Sequence, residues 1–237
     1  MLKIFIKNIF QRFGYQLVSI PNWSRELSTQ QKDGYVLSNY GDVFDYQLYK
    51  KVQESGNIAK IDQIWTNKEN LEYISNWISS YYGKPEFILC HGTRNGFEQR
   101  IFKEVFDCHV IGTEISSTAD QFPMTIQADF HKDFPEWENK VDFIYSNSLD
   151  HAYDPKKALK NWASCLKKGG YIVLDKASDS DPHGVSDLDP FGISLPSMLV
   201  FILTTLGENF SIRCLLNAPN PKAGTYYHRL IFIQRIN

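Results

Sequence analysis

The sequence is poor in cysteine, and what it has is scattered. Of 237 residues only Cys90, Cys108, Cys165 and Cys214 carry thiols, and no two form a C-x-x-C pair. A disulfide framework or a zinc ribbon needs closer spacing, so reduced thiols in a cytoplasmic protein are expected. Charge of one sign is also lacking. Twenty-five Lys and Arg against 27 Asp and Glu leave a net charge of -2, too little basic excess to hold nucleic acid by its phosphates. No apolar run is long enough to span a bilayer: the longest uncharged stretch, residues 191–207, is interrupted by Pro196 and several hydroxyl residues. Repeats and low-complexity tracts are absent. So is the G-x-G-x-x-G fingerprint, which argues against a nicotinamide oxidoreductase.

What is present suits a globular α/β protein. Apolar residues make up 43% and aromatics 14%, enough for a sizeable core. Residues 1–68 read as a helical and irregular extension, with breaks at Gly14, Pro21, Gly34, Gly41 and Gly56. Within it, Leu2, Phe5, Ile6, Ile9, Phe10 and Phe13 stand at helical spacing, with Lys3, Lys7 and Arg12 between them. Such an amphipathic helix packs on its own domain, docks a partner or makes weak contact with a membrane surface.

Residues 69–237 read as one core domain. Asn67 is placed to cap a helix over residues 68–82, with Leu71, Ile74, Ile78 and Tyr81 on one face and Gly83 and Pro85 ending it. Strands are predicted at 87–90, 109–113, 125–127, 143–146 and 171–174. Helices alternate with them at 96–105, near 119 and at 155–166. This rhythm means βαβ units, hence a doubly wound parallel sheet with helices on both faces. Residues 195–206 read as a buried helix. Strands at 210–216 and 229–235 then suggest an antiparallel pair at the sheet edge.

In such sheets ligands bind outside the carboxyl ends of the strands. After the first strand stands His91-Gly92-Thr93-Arg94-Asn95-Gly96, with Glu98 two residues on. Gly92 and Gly96 allow close backbone approach, and the following helix N-terminus favours an anionic group. Glu114 follows the second strand and can accept both hydroxyls of a ribose. Asp129 and Phe130 follow the third, a carboxylate for an adenine amino group and a ring to cover the base. Asn147 and His151 follow the fourth.

The segment VDFIYSNSLDHAYDPKKALKNWASCLKKGGYIVLD, with the strand order before it, resembles the class I S-adenosylmethionine-dependent methyltransferases. The resemblance leaves residues 1–68 outside. It implies S-adenosyl-L-methionine as cofactor and a Rossmann-like, mostly parallel seven-stranded sheet with an antiparallel last strand. It also implies a cofactor site built from His91, Gly92, Thr93, Arg94, Gly96, Glu98, Glu114, Ile115, Asp129, Phe130 and Asn147. Two positions depart from the family's first loop, acid-x-Gly-x-Gly-x-Gly. Cys90 stands at the acid that normally helps hold the methionine ammonium, and Arg94 at the middle glycine. Glu98 can replace the acid, and Arg94 can pair with the methionine carboxylate or with Glu98.

For the acceptor, His151 is the candidate general base for a hydroxyl nucleophile, although positioning alone can carry methyl transfer. The expected activity is O-methylation of a small molecule or a glycan intermediate. The alternative is a methyltransferase-like module without catalysis. Residues 175–190 are rich in Asp and begin like a calcium loop, but Pro190 stands where the bidentate acid belongs. No metal is expected. The segment reads instead as a mobile lid that builds the acceptor pocket with residues 1–68 and His151.

Overall fold

A computed structural model of the protein describes residues 29–32 and 34–237. The amphipathic N-terminal segment, with Gly14 and Pro21, lies outside the described residues. A central sheet of seven strands has the order β5 (Thr125–Gln127), β4 (His109–Glu114), β3 (Phe87–His91), β6 (Val141–Ser146), β7 (Leu166–Ala177), β10 (His228–Arg235) and β9 (Phe210–Asn217). β3 pairs in parallel with β4 and β6, and β7 in parallel with β6. β10 inserts antiparallel between β7 and β9. This is the Rossmann-like methyltransferase fold.

Both faces of the sheet are covered, so its strands are apolar on both sides. Side-chain alternation sorts them. Leu89, Ile144, Ile172, Leu174, Ile231 and Ile233 join one core cluster. That cluster packs under α4 (Pro155–Cys165) and α5 (Leu195–Leu206). Ile88, Cys90, Phe143, Tyr145, Val173 and Phe232 face the opposite cluster, under α2 (Lys68–Tyr81) and α3 (Phe97–Phe106). Asn67 caps α2, accepting from the Asn70 N–H at 3.1 Å. Far from the carboxyl ends, Asp142 ties the layers together. It accepts from the Tyr82 hydroxyl at 2.6 Å, from the Glu86 and Phe87 N–H groups at 2.8 Å each, and from Lys167 Nζ at 2.8 Å.

Several elements differ from the sequence reading, and Tyr81, expected on the apolar face of α2, is exposed because the core contacts of that face end at Ile78. α4 ends at Cys165, because Leu166 is already extended and pairs with Val141. β7 therefore starts five residues before the predicted strand and runs three beyond it. α5 is not buried all round: Met198, Phe201 and Ile202 face the core, whereas Val200 and Leu203 are exposed, since a helix on the outer layer has only one inward face. The predicted irregular stretch before residue 68 holds a hairpin, β1 (Thr29–Lys32) and β2 (Tyr35–Ser38), and a helix, α1 (Tyr46–Ala59). Asp45 caps α1 through the Gln47 and Leu48 N–H groups. Gly56 is no break. It sits inside α1, where a Cβ would stand 2.3 Å from Leu188 Cδ2, and thus allows close packing.

β2 also pairs with β8 (Phe191–Ile193), giving a small second sheet. Hence the expected boundary near residue 68 in sequence is crossed by pairing in space. The segment read as a lid is anchored along its length. Ser38 Oγ donates to Ser186 O at 3.3 Å, the Tyr40 hydroxyl to Asp187 O at 2.7 Å, and Gln53 Nε2 to Leu188 O at 3.1 Å. Its first acid, Asp175, belongs to β7 and is buried, bonded to the Tyr145 hydroxyl and to His228.

Candidate active site

The turn after β3 is the floor of a cleft at the carboxyl ends. Gly92, Arg94 and Gly96 all have positive φ, at 73°, 45° and 71°. Gly92 has no room for a side chain: a Cβ there would stand 2.5 Å from Ser148 Cβ. Ser148 Oγ instead donates to Gly92 O at 3.0 Å, joining the turns after β3 and β6. Arg94 adopts the left-handed conformation that glycine takes without cost. Its N–H donates to Glu114 Oε2 at 2.9 Å, and the Ser116 N–H donates to Oε1 at 2.9 Å. Burial raises the Glu114 pKa despite these two bonds.

The cleft is narrow, with a cavity volume of about 60 Å³. Glu114, Ile115, Asp129 and Phe130 line it on one side of Gly92 and Ser148. A second arm beyond Arg94 is lined by Thr93, Glu98, Asn147 and Trp65. His151 lines both arms and stands at their junction.

Charge in the cleft is arranged by burial. Glu98 accepts from Asn147 Nδ2 at 3.1 Å through Oε1, while its buried Oε2 has no hydrogen-bond partner among the described residues. Burial pushes its pKa up to about 7, against the Asn147 bond and the nearby Arg94 charge. Cys90 is fully buried in the core, and its thiol pKa is raised by burial and then by the charge of Glu98. The carboxylate is thus close to the position where the cysteine replaces an acid. Asp129 Oδ1 accepts from the His131 N–H at 2.9 Å and from His131 Nδ1 at 2.7 Å. Burial pushes the Asp129 pKa up, but the His131 contacts outweigh it and the net shift is downward.

His151 sits in the turn Leu149–His151. Its Nδ1 lies 2.9 Å from Gln53 Oε1, and its carbonyl accepts from the Tyr49 hydroxyl at 3.1 Å. Its Nε2 is 3.5 Å from Asp189 Oδ1 and 4.0 Å from Asp150 Oδ1. These three groups converge within 4.8 Å, the one cluster among the described residues able to surround a cation. Burial raises the Asp150 pKa to about 6, opposed by His151 and reinforced by Asp189.

Two of the predicted residues do not reach the cleft. The His91 ring turns into the core, stacked on Trp162 with centroids 4.8 Å apart and bonded to Thr113 Oγ1 at 2.9 Å. Burial alone pushes its pKa down to about 3. The reason is strand alternation: His91 is the last residue of β3, and its side chain points opposite to that of Cys90. Gly96 lines neither arm and serves as the N-cap of α3. Thr93 lines the second arm, but its hydroxyl is engaged by Gln99 Nε2 at 3.1 Å. Sequence reasoning missed Tyr49, Gln53 and Asn57 from α1, Lys60 at its C-cap, and Leu188, all of which line the cleft. The available signal was the spacing of Tyr49, Val52, Gln53 and Gly56 on one helical face.

Residues 89–174 match the family model described as "Methyltransferase domain". No curated protein sequence matches the chain significantly. Among solved structures, the chain is similar to the Burkholderia thailandensis 1,6-didemethyltoxoflavin-N1-methyltransferase with bound 1,6-didemethyltoxoflavin and S-adenosylhomocysteine. The identity is 15% and the TM-score 0.61, over 87% of this chain and 98% of that one. It is similar to the N-methyltransferase NodS of Bradyrhizobium japonicum in complex with S-adenosylhomocysteine, with 15% identity and a TM-score of 0.56, over 80% and 97%. It is also similar to the geranyl diphosphate C-methyltransferase of Streptomyces coelicolor, with 12% identity and a TM-score of 0.52, over 82% and 86%. Among the described residues no helix is long and apolar enough to cross a membrane.

Proposed function

We propose that this chain, whose residues 89–174 match the methyltransferase-domain family model, is a class I S-adenosylmethionine-dependent methyltransferase and that it methylates an oxygen of a small molecule or a glycan intermediate. The observation that carries the reading is one cleft in which Glu98, Glu114, Asp129 and Phe130 follow successive strand ends, with His151 at the junction of its arms. Two features fit the cofactor. The unpartnered buried Oε2 of Glu98 is an acceptor in need of a cation, and the Gly92 turn is a cradle that a side chain would fill.

In this reading Glu98 and Asn147 hold the methionine ammonium and Arg94 the methionine carboxylate. Glu114 holds the ribose hydroxyls beside Ile115. Asp129 and Phe130 hold the adenine. Bound S-adenosylmethionine supplies a methyl group on a sulfonium centre. His151 takes the proton that the acceptor hydroxyl loses, and the Asp189 and Asp150 carboxylates beside it stabilise the resulting imidazolium. α1 and Leu188 roof the cleft and exclude water, while the groups that choose the acceptor come from outside the shared core.

The test is calorimetry with S-adenosylhomocysteine, NAD and NADP, followed by transfer of tritiated methyl from S-adenosylmethionine to nucleotide sugars, catechols and amines. Binding of S-adenosylhomocysteine alone and label in a hydroxylated acceptor are expected. Label confined to amines would refute O-methylation. Binding without transfer to any hydroxylated acceptor would refute it in favour of a cofactor-binding module.

A further inference from the structure

α1 places a buried polar side chain where a core-facing helix ordinarily presents an apolar one. Gln53 is 7% exposed, and two bonds determine the orientation of its amide. Its Nε2–H donates to the Leu188 carbonyl at 3.1 Å, and its Oε1 lies 2.9 Å from His151 Nδ1. A backbone carbonyl only accepts, so the nitrogen end must face Leu188 and the oxygen end must face the imidazole. The amide oxygen carries no proton, so Nδ1 must carry one. In the neutral ring, Nε2 is then the nitrogen with the free lone pair.

The groups around the ring come from several elements. Asp150 on its own turn and Asp189 from the loop before β8 flank Nε2. Glu114 at the end of β4 contributes a third nearby carboxylate. From the N-terminal side, the Tyr49 hydroxyl donates to the His151 carbonyl, and Tyr40 lies against the Gln53 amide. Without Gln53, the surrounding carboxylates would draw the single proton to Nε2, the nitrogen required to be bare in a base.

We propose that Gln53 is a positioning residue for methyl transfer, holding His151 in the Nδ1–H tautomer so that Nε2 receives the acceptor proton. The proposal rests on the reading of His151 as the base. It gives α1, outside the segment that matches the family model, a part in the chemistry. The Gln53 amide bridges His151 and the Leu188 carbonyl, so ring orientation, tautomer and loop position are set by one side chain.

The experiment is long-range ¹H–¹⁵N correlation on the full chain labelled at its six histidines, saturated with S-adenosylhomocysteine and held at pH 8.5. The His151 signals are assigned by their loss in His151→Asn. The native ring is expected to show the Nδ1–H pattern. Gln53→Met, close to isosteric but lacking the amide oxygen, should convert it to the Nε2–H pattern. Gln53→Glu keeps an acceptor, so it should retain Nδ1–H. An Nε2–H pattern in the native protein, or an unchanged Nδ1–H pattern in Gln53→Met, would overturn the proposal. Because the spectra require no turnover, failure of the tautomer assignment is separate from failure of the base reading. Undiminished methyl transfer by His151→Asn would remove that reading and, with it, the catalytic part assigned to Gln53.

Discussion

Asn147 Nδ2 donates to Glu98 Oε1 at 3.1 Å, binding the turn after β6 to the first turn of α3 and leaving the second carboxylate oxygen unshared. A buried carboxylate with one satisfied oxygen is costly to ionise, and burial accordingly lifts Glu98 to about 7. Cys90 lies close to this charge in the core.

From this pair, Glu98→Gln should separate stability from binding. A carboxyl whose folded pKa is raised contributes stability that is present below its unfolded pKa and lost as pH rises through about 7. The variant removes that loss, so its melting temperature at pH 8 should exceed the native one by a few degrees, with the gain vanishing near pH 4. Affinity for S-adenosylhomocysteine should fall at least tenfold at pH 8, read by calorimetry. In the native protein, affinity should weaken as pH drops below about 7. Equal affinities in variant and native protein would remove Glu98 from the ammonium site.

Glu114→Ala should cost more. The carboxylate already accepts from the Arg94 and Ser116 N–H groups, and it is the acid proposed for the ribose. Its removal loses two charge-assisted bonds to the ligand, on the order of a hundredfold in affinity. It also strands two N–H groups, at about 1–3 kcal/mol each if they stay buried, so the melting temperature should drop as well. Titration calorimetry and a thermal melt on the same sample check both effects.

Arg94→Gly tests a strained position. The native residue holds φ at 45°, and glycine adopts that conformation freely, which is worth about 1 kcal/mol. The lost contact, Arg94 Nη1 to Gln63 O, is long at 3.3 Å, and Asn95 Nδ2 still ties the loop to Ile61 O and Gln63 O. Ligand-free stability should therefore hold or rise, while S-adenosylhomocysteine affinity should fall several-fold. Arg94→Lys should fall between the two in affinity. A glycine variant that binds as tightly as the native protein would exclude Arg94 from the carboxylate.

Asp142→Ala should destabilise the fold without touching the cleft. The buried carboxylate accepts from Tyr82, two backbone N–H groups and Lys167. Burial pushes its pKa up, but these donors outweigh it and the net shift is downward. Such a group stabilises the fold above its unfolded pKa, and the contribution is lost as pH falls through the folded one. The variant should lose stability in urea unfolding at pH 7, by about 1–3 kcal/mol for each backbone N–H group it leaves buried without an acceptor. The gap from native should narrow in the acid range.

Much of the fold was legible because its signals are local. The Asn67 cap, the Gly83 and Pro85 stop and the short apolar runs between helices report hydrogen bonding and hydrophobic periodicity within a few residues. The order of Gly92, Glu114, Asp129 and Asn147 was legible for a similar reason: in a parallel sheet, each residue just past a strand emerges at the same edge. The start of β7 was not, because Leu166 is extended by pairing with Val141, a partner chosen by the sheet rather than by its neighbours.

The sequence by itself therefore determined the class of fold, the sheet edge that carries the candidate cleft and the acids arrayed there. Tertiary structure alone decided which side chains face the cleft. One step of strand alternation sent the His91 ring into the core, and packing of α1 brought Gln53 to His151 across 98 positions of chain. It also decided the protonation of these groups, since the shifts at Glu98, Glu114 and His91 arise chiefly from burial. Burial is a property of the assembled layers: no window of neighbouring residues reveals how much water remains around a carboxylate once the chain has closed over it.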